Sequence, residues 1–252
     1  MKRLIVVFVL VIAVTGLTAA PAQAHNCGTH GNPGVIPPQA HPFGHTYGEW
    51  GARYEQWVAA IPSDVNPTND LTGVNAGVGQ RGKVWFLTMN NFDYWTDTTD
   101  GAIAVTIERT VTIPAGRGVF FPLWETRGSI PYDGADEAEI KAGGAWHVQH
   151  VTSLAATVDG RMLRGLFAYR GTSPLFELWW PPDNAIGFDP TDIPPADSIA
   201  DGYWIMLAPL NVGHHDVHWT SVLTYTAAEG LFDLTVTRDI TYHITVRPAC
   251  RY

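Results

Sequence analysis

The chain predicts an all-β fold: a two-sheet β-sandwich with one N-terminal amphipathic helix and an extended N-terminal arm. Three observations predict it. Several long segments alternate apolar and polar residues with a period of two. Short continuous apolar runs suit strands buried on both faces. A single segment near residue 50 carries aromatic residues at helical spacing.

Residues 1–24 read as an export signal. Lys2 and Arg3 supply the charged start, Leu4 to Val14 the apolar run, and Ala22-Gln23-Ala24 a small-residue cleavage pattern. The run falls short of the about 20 apolar residues a membrane-spanning helix needs. No later stretch reaches that length, so no membrane span is expected after cleavage, and the expected location is secreted, periplasmic or extracellular. Residues 25–45, rich in Gly, Pro, Asn and His, read as an extended arm. Residues 46–252 are expected to form a single β-sandwich domain that includes a helix over 46–60.

In that helix Thr46 and Glu49 have capping-box spacing, and each side chain can satisfy a backbone N–H at the helix start. Tyr47, Trp50, Tyr54, Trp57 and Val58 share a face, and Pro62 ends the helix. Ile103 to Ile113, Val217 to Tyr225 and Leu234 to Val246 alternate as half-buried strands. Val84 to Met89, Val119 to Trp124 and Tyr203 to Leu210 are the short apolar runs. Asp159-Gly160 is a type I′ hairpin signature. Asp136 to Lys141 suits a short helix, and the proline-rich stretch from Asp183 to Asp201 a long loop.

A scattered pattern resembles an uncharacterised family of secreted bacterial proteins. It begins with His41-Pro42-Phe43-Gly44, Tyr47-Gly48-Glu49-Trp50, Arg53 and Gln56-Trp57. Ile61-Pro62, Asn66-Pro67, Asp70, Thr72-Gly73, Gln80 and Val84-Trp85-Phe86-Leu87 follow. Weaker pieces, such as Ile113-Pro114-Ala115-Gly116 and Asp201-Gly202-Tyr203-Trp204, extend it over most of the chain. The resemblance implies export and a β-rich fold, and it implies no activity.

The formal net charge is -9, and loss of Lys2 and Arg3 makes the mature chain more acidic still. Such a chain has no electrostatic reason to bind nucleic acid or an anionic membrane. Cys27 and Cys250 are the two cysteines, and in an oxidising compartment they are expected to pair. The long loop so closed is worth roughly 4–5 kcal/mol in the chain-entropy account. Phosphate-binding loops and Gly-x-Ser-x-Gly elbows are missing, which excludes the nucleotide and serine-hydrolase classes those motifs mark.

Several constellations suit chemistry. His25, freed by cleavage, has an α-amino group and an imidazole that together bind copper in a histidine brace. Its further ligands would come from His214, His215 and His218, or from His147 and His150. On a strand, His214, Asp216 and His218 share one face and suit zinc, while His215 turns inward. The simpler expectation is that His215 bonds a neighbouring turn and the others are ordinary exposed residues. His147 and His150 read as surface histidines. Glu49, Asp70 and Glu125 are the candidate catalytic carboxylates, and Arg53, Gln56, Trp57 and Trp85 the candidate ligand-binding residues. Arg109 and Arg238 sit in apolar alternating faces, so each needs a partner, with Glu125 or Asp70 as the acids available. Trp179-Trp180 is expected to pack in the core or a loop.

The leading expectation is an exported binding or structural module, not an enzyme, that takes a small molecule or carbohydrate and needs no cofactor. The alternatives are a copper or zinc protein built on the histidines, and a hydrolase built around Glu49 and Glu125.

Overall fold

A computed structural model describes residues 32–89, 96–98, 102–186, 195–229 and 233–248. The export signal, His25, Cys27 and Cys250 lie outside the described residues. From Gly31 on the chain forms one compact unit. Its regular structure is mostly β, in two sheets.

The first sheet contains β1 (Val84–Phe86), β4 (Gly118–Ser129), β7 (Arg170–Thr172), β8 (Phe176–Leu178) and β9 (Ala196–Leu207). β4 is central, parallel to β1 and antiparallel to β9. Three short pieces tile the other flank of β9. β8 pairs with residues 196–198 and β7 with 201–203. The arm follows them, with the Ile36 N–H bonding the Met206 carbonyl at 2.8 Å and the Ala208 N–H the Gly34 carbonyl at 2.8 Å.

The second sheet runs in the order β2 (Thr96–Thr98), β3 (Ala102–Pro114), β11 (Leu234–Arg247), β10 (Gly213–Tyr225), β5 (Val151–Val158) and β6 (Arg161–Met162). The three alternating segments became β3, β10 and β11, with the expected residues inward. Asp159 and Gly160 make the expected turn between β5 and β6, both with positive φ (51° and 71°), the conformation a type I′ turn requires.

Side chains of both sheets share one apolar cluster. Phe121 of β4 lies 4.9 Å from Trp219 of β10, ring centre to ring centre. The first sheet buries its other face under α1 (Tyr47–Ala59). There Trp204 stacks on Phe120 at 5.3 Å, with Tyr54 edge-on at 5.5 Å. Covering on both faces accounts for the unbroken apolar runs in β4 and β9. The Thr46–Glu49 capping box forms as expected. A second helix face is lined by Gly48, Gly51, Ala52, Glu55 and Ala59, all buried. A Cβ on Gly48 would fall 2.1 Å from the Thr172 carbonyl oxygen, so only glycine lets α1 approach β7 this closely.

Three expectations need correction. The short helix expected over Asp136 to Lys141 runs on as α2 (Glu137–Gln149), so the described residues hold two full-length α-helices and not one. Gly143 and Gly144 lower helix propensity, but Ile140, Gly144 and Val148 form a buried stripe. A Cβ on Gly144 would meet Ile199 Cδ1 at 3.0 Å, so the glycine is a packing residue. β9 starts at Ala196, inside the stretch read as loop. Its small and polar start is held by pairing on both flanks and by Asp201, which accepts two hydrogen bonds from Arg170 at 2.6 and 3.0 Å. The arm, finally, is not extended throughout: among the described residues it turns through two short 3-10 helices, Pro38–Ala40 and Pro42–Gly44, and is fastened to α1. Tyr47 Oη donates to the Ile36 carbonyl at 2.6 Å and Trp50 Nε1 to the Pro42 carbonyl at 2.8 Å.

Candidate functional site

A cavity of about 370 Å³ opens where α1, β4, α2 and the ends of β10 and β11 meet. Its apolar wall includes Val58, Trp124, Trp180, Ile186, Leu223 and Val236. Its acidic and basic groups are Glu55 from α1, Glu125 and Arg127 from β4, Arg238 from β11 and His147 from α2, and the hydroxyls of Tyr54, Thr68, Thr126 and Tyr225 also line it.

An irregularity in β4 places them. The register against β9 slips between Pro122 and Trp124. Beyond this bulge the alternation inverts, and odd-numbered Glu125 and Arg127 reach the α1 side that even-numbered Phe120 occupies before it. Arg127 Nη1 donates to Glu55 Oε2 at 2.9 Å, and the Arg127 guanidinium lies 4.6 Å from the Trp180 ring centre. The Arg238 guanidinium lies 4.1 Å from the Trp124 ring centre, with Nη1 3.3 Å from Met89 Sδ. Glu55 is 1% exposed.

Glu125 holds its proton far above the usual carboxyl range. Burial is the main cause, and the adjacent Glu55 charge and hydrogen bond add to it, while Arg127 and Arg238 oppose it. A carboxyl beside a negative charge in a poorly solvated space keeps its proton, because a second negative charge has too little water to stabilise it. The Glu125 carboxyl hydrogen-bonds the Glu55 side chain, whose Oε1 accepts from no N–H or hydroxyl donor among the described residues. Burial lowers the Arg238 pKa to about 10, partly offset by Glu125, so it stays cationic at neutral pH. His147, at the rim, is pushed down by burial and by His150 and is neutral there. Two guanidiniums therefore flank a pair of carboxyls of which Glu125 resists ionisation.

Of the sequence-predicted acids only Glu125 belongs to this site. Glu49 lies at the exposed start of α1, where it accepts from the Thr46 N–H at 2.7 Å; that bond and the Thr46 hydroxyl lower its pKa. Asp70 closes a loop. Burial pushes its carboxyl up, but the Asn75 and Thr72 N–H donors and the Thr72 hydroxyl outweigh that and hold it low. Among the described residues neither Glu125 nor Asp70 pairs its carboxylate with Arg109. Its guanidinium donates to the carbonyls of Asp70 (2.6 Å), Thr88 (2.8 Å) and Met89 (3.1 Å) and to Tyr242 Oη (2.8 Å). Arg238 does have Glu125 as an electrostatic partner.

Three of the four ligand-binding candidates share a second depression. Arg53, Gln56 and Trp57 line a groove of about 640 Å³ on the outer side of α1. Trp85 does not reach it. It is buried in the core, with the Arg117 guanidinium 5.5 Å from its ring centre. Arg53 lies over Trp50, at 5.7 Å from the ring centre, and not against Glu49.

The histidines are engaged individually. His215 bonds Asp159 of the hairpin turn at 2.9 Å and the Asn211 carbonyl at 2.9 Å. His218 pairs with Asp239 at 2.8 Å, and His214 Nδ1 meets Thr245 Oγ1 at 3.1 Å. Asp216, expected beside His214 and His218 as a ligand, bonds His243 at 2.6 Å. Among the described residues no three His, Cys, Asp or Glu side chains are grouped to hold a metal ion. His150 is not a surface residue. It is buried and bonds Glu229 at 2.8 Å, which helps pull the Glu229 pKa to about 2.

Glu55 is the acid of this cavity that the sequence reading does not single out. Its signal was present, since it lies three or four residues from Gly51, Ala52 and Ala59 on one helix stripe, a setting in which a glutamate is buried. No protein-family model and no curated protein sequence matches the chain.

Proposed function

We propose that the chain is an exported β-sandwich protein that binds a compact amphipathic acid in the cavity at Glu55 and Glu125. The charged start and apolar run of residues 1–24 support export, and the apolar cluster common to both sheets supports the sandwich. The observation that carries the ligand reading is the glutamate pair, of which Glu125 resists ionisation, between two arginines in an otherwise largely apolar wall. The cavity volume is in the range of small-molecule sites, and an apolar pocket with a few convergent polar groups is their usual construction. The surplus positive charge favours an anionic head group, and the tryptophans and aliphatic residues favour an apolar body.

Isothermal titration of the chain lacking residues 1–24 with benzoate and hexanoate, each beside its carboxamide, tests this. The carboxylates are expected to bind at least about tenfold tighter than the amides at neutral pH. Equal affinity for acid and amide, or no heat below millimolar concentration, counts against it.

A second reading is favoured by the same pair. A carboxyl that keeps its proton beside one that has lost it can act as general acid and general base, as hydrolysis requires. Here Glu125 would donate and Glu55 accept, in place of the Glu49 and Glu125 arrangement expected from sequence. Loss of a hydrolytic activity in Glu125→Gln with ligand binding retained separates this reading from binding alone.

A further inference from the structure

The outer groove brings together more than the sequence pattern suggested. Arg53 and Gln56 come from α1, Arg81 and Lys83 from the loop before β1, and Trp57 forms part of the floor. Neither Arg53, Arg81 nor Lys83 has an ion-pair partner among the described residues. No acidic side chain lines the groove, in a protein whose formal charge is -9. Cations concentrated against an opposite overall charge mark a local recognition surface and not a general solubilising pattern.

The groove is also preformed. Gln80 donates to the carbonyls of Ala76 (3.0 Å) and Phe86 (2.8 Å) and accepts from the Phe86 N–H at 3.0 Å, which fastens the loop to β1. The Lys83 carbonyl accepts from the Gly118 N–H of β4 at 2.9 Å. Trp57 Nε1 donates to the Val78 carbonyl at 3.0 Å, and its ring rests against Phe86 at 5.2 Å. Gly79 seals this contact. With φ +66° it needs no Cβ, and a Cβ there would come within 3.1 Å of the Trp57 indole nitrogen. The floor is therefore fixed, while Arg53, Arg81, Lys83 and Gln56 remain exposed at its rim.

We propose that this groove binds an anionic sugar, a short stretch of a uronic-acid or sulfated glycan. Guanidinium and ammonium groups pair with carboxylate or sulfate, Gln56 Oε1 suits hydroxyls while its amide nitrogen donates to the Glu177 carbonyl at 3.0 Å, and a partly exposed indole suits the apolar face of a pyranose ring. The groove is large enough for a mono- or disaccharide unit. The acidic body of the protein disfavours a long polyanion, so the contact is with a short segment. This site is separate from the Glu55–Glu125 cavity and does not depend on its ligand.

The test is titration of the chain lacking residues 1–24 with three probes at low and high salt. They are an oligogalacturonate, the same oligomer methyl-esterified, and a chondroitin sulfate oligomer. Oligogalacturonate or the sulfated oligomer binds, the one that binds tighter identifies the acid group, and added salt weakens binding because the contacts are exposed. The double variant Arg81→Glu/Lys83→Glu is expected to lose at least about tenfold in affinity. Both positions are exposed, and an unchanged melting temperature establishes that the variant is folded. Glu49→Gln, on α1 but outside the groove, is expected to bind as the wild type does. Equal binding of the methyl ester, full affinity in the double variant, or equal binding of oligothymidylate each overturns the proposal.

Discussion

Replacing Glu125 with glutamine isolates the proton held in the cavity. In the unfolded chain Glu125 ionises near the ordinary carboxyl value of about 4.3. In the folded chain burial and the Glu55 charge hold the proton on to higher pH. The folded state therefore binds more protons than the unfolded state between these two values. The stabilisation is complete below the ordinary carboxyl pKa and is lost as pH rises towards the raised one. One proton is involved, so the slope is at most about 1.4 kcal/mol per pH unit. Glu125→Gln preserves shape and an N–H donor towards Glu55, and it removes the ionisation. Wild type and variant are thus expected to match near pH 4, with the variant gaining by up to about 1.4 kcal/mol for each unit above about pH 4.5, until the native carboxyl ionises. Urea unfolding at half-unit steps between pH 4 and 9 reads this directly. Glu55→Gln is the contrast, because it breaks the buried contact with Arg127 and costs stability over the whole range, by about 3 kcal/mol or somewhat less given the partly exposed arginine. Parallel pH profiles for wild type and Glu125→Gln would refute the retained proton.

Other positions are equally open to measurement. Arg109→Leu strips the buried Asp70 and Met89 carbonyls of the Arg109 donor and leaves the Thr88 carbonyl only Tyr242 Oη, and at about 1–3 kcal/mol for each of the first two it is expected to cost about 2–6 kcal/mol of unfolding free energy in urea; a loss below about 1 kcal/mol would show the carbonyls find other partners. Gly48→Ala forces a Cβ to 2.1 Å from the Thr172 oxygen and is expected to lower the melting temperature, whereas Gly143→Ala, with nothing within 4 Å, is expected to raise it by the equivalent of about 1 kcal/mol. The pKa of His243 is raised by Asp216 and then Glu108, so its contribution is present below about pH 6.5 and lost as pH rises through the raised value. The residue is exposed, so His243→Gln is expected to cost only about 0.2–1 kcal/mol at pH 6 and nothing at pH 9, and an imidazole titration by NMR should place the native midpoint above about 6.5.

The readable parts of the chain were those whose reason is local. β3, β10 and β11 announce themselves because one face meets the core and the other meets water, and that asymmetry is written as a period of two. The Thr46–Glu49 box and the Asp159-Gly160 turn each need only four residues or fewer to be recognised. The start of β9 and most of α2 carry weak local preference and are held by neighbours distant in sequence, Ile199 against Gly144 and Arg170 against Asp201. The cavity was partly legible. Glu125 was marked as a candidate acid and Arg238 as needing one, but Glu55 replaced Glu49 because the bulge after Pro122 turns Glu125 towards the middle of α1 and not its start. A register slip depends on two strands at once, and no single segment records it. Arg53, Gln56 and Trp57 were legible as a group because i, i+3 and i+4 spacing on one helix already brings them together.

The tiling of β9 has a bearing on behaviour in crowded surroundings. A strand of twelve residues with one open side would offer amide and carbonyl groups to any passing chain, the first step of self-templated stacking. Here the arm, β7 and β8 cover that side in pieces of three residues or so, and β2 and β6, which bound the other sheet, are no longer. Margins this short give a foreign strand too little length to grip. A protein built this way can accumulate to high concentration while keeping its sheets to itself.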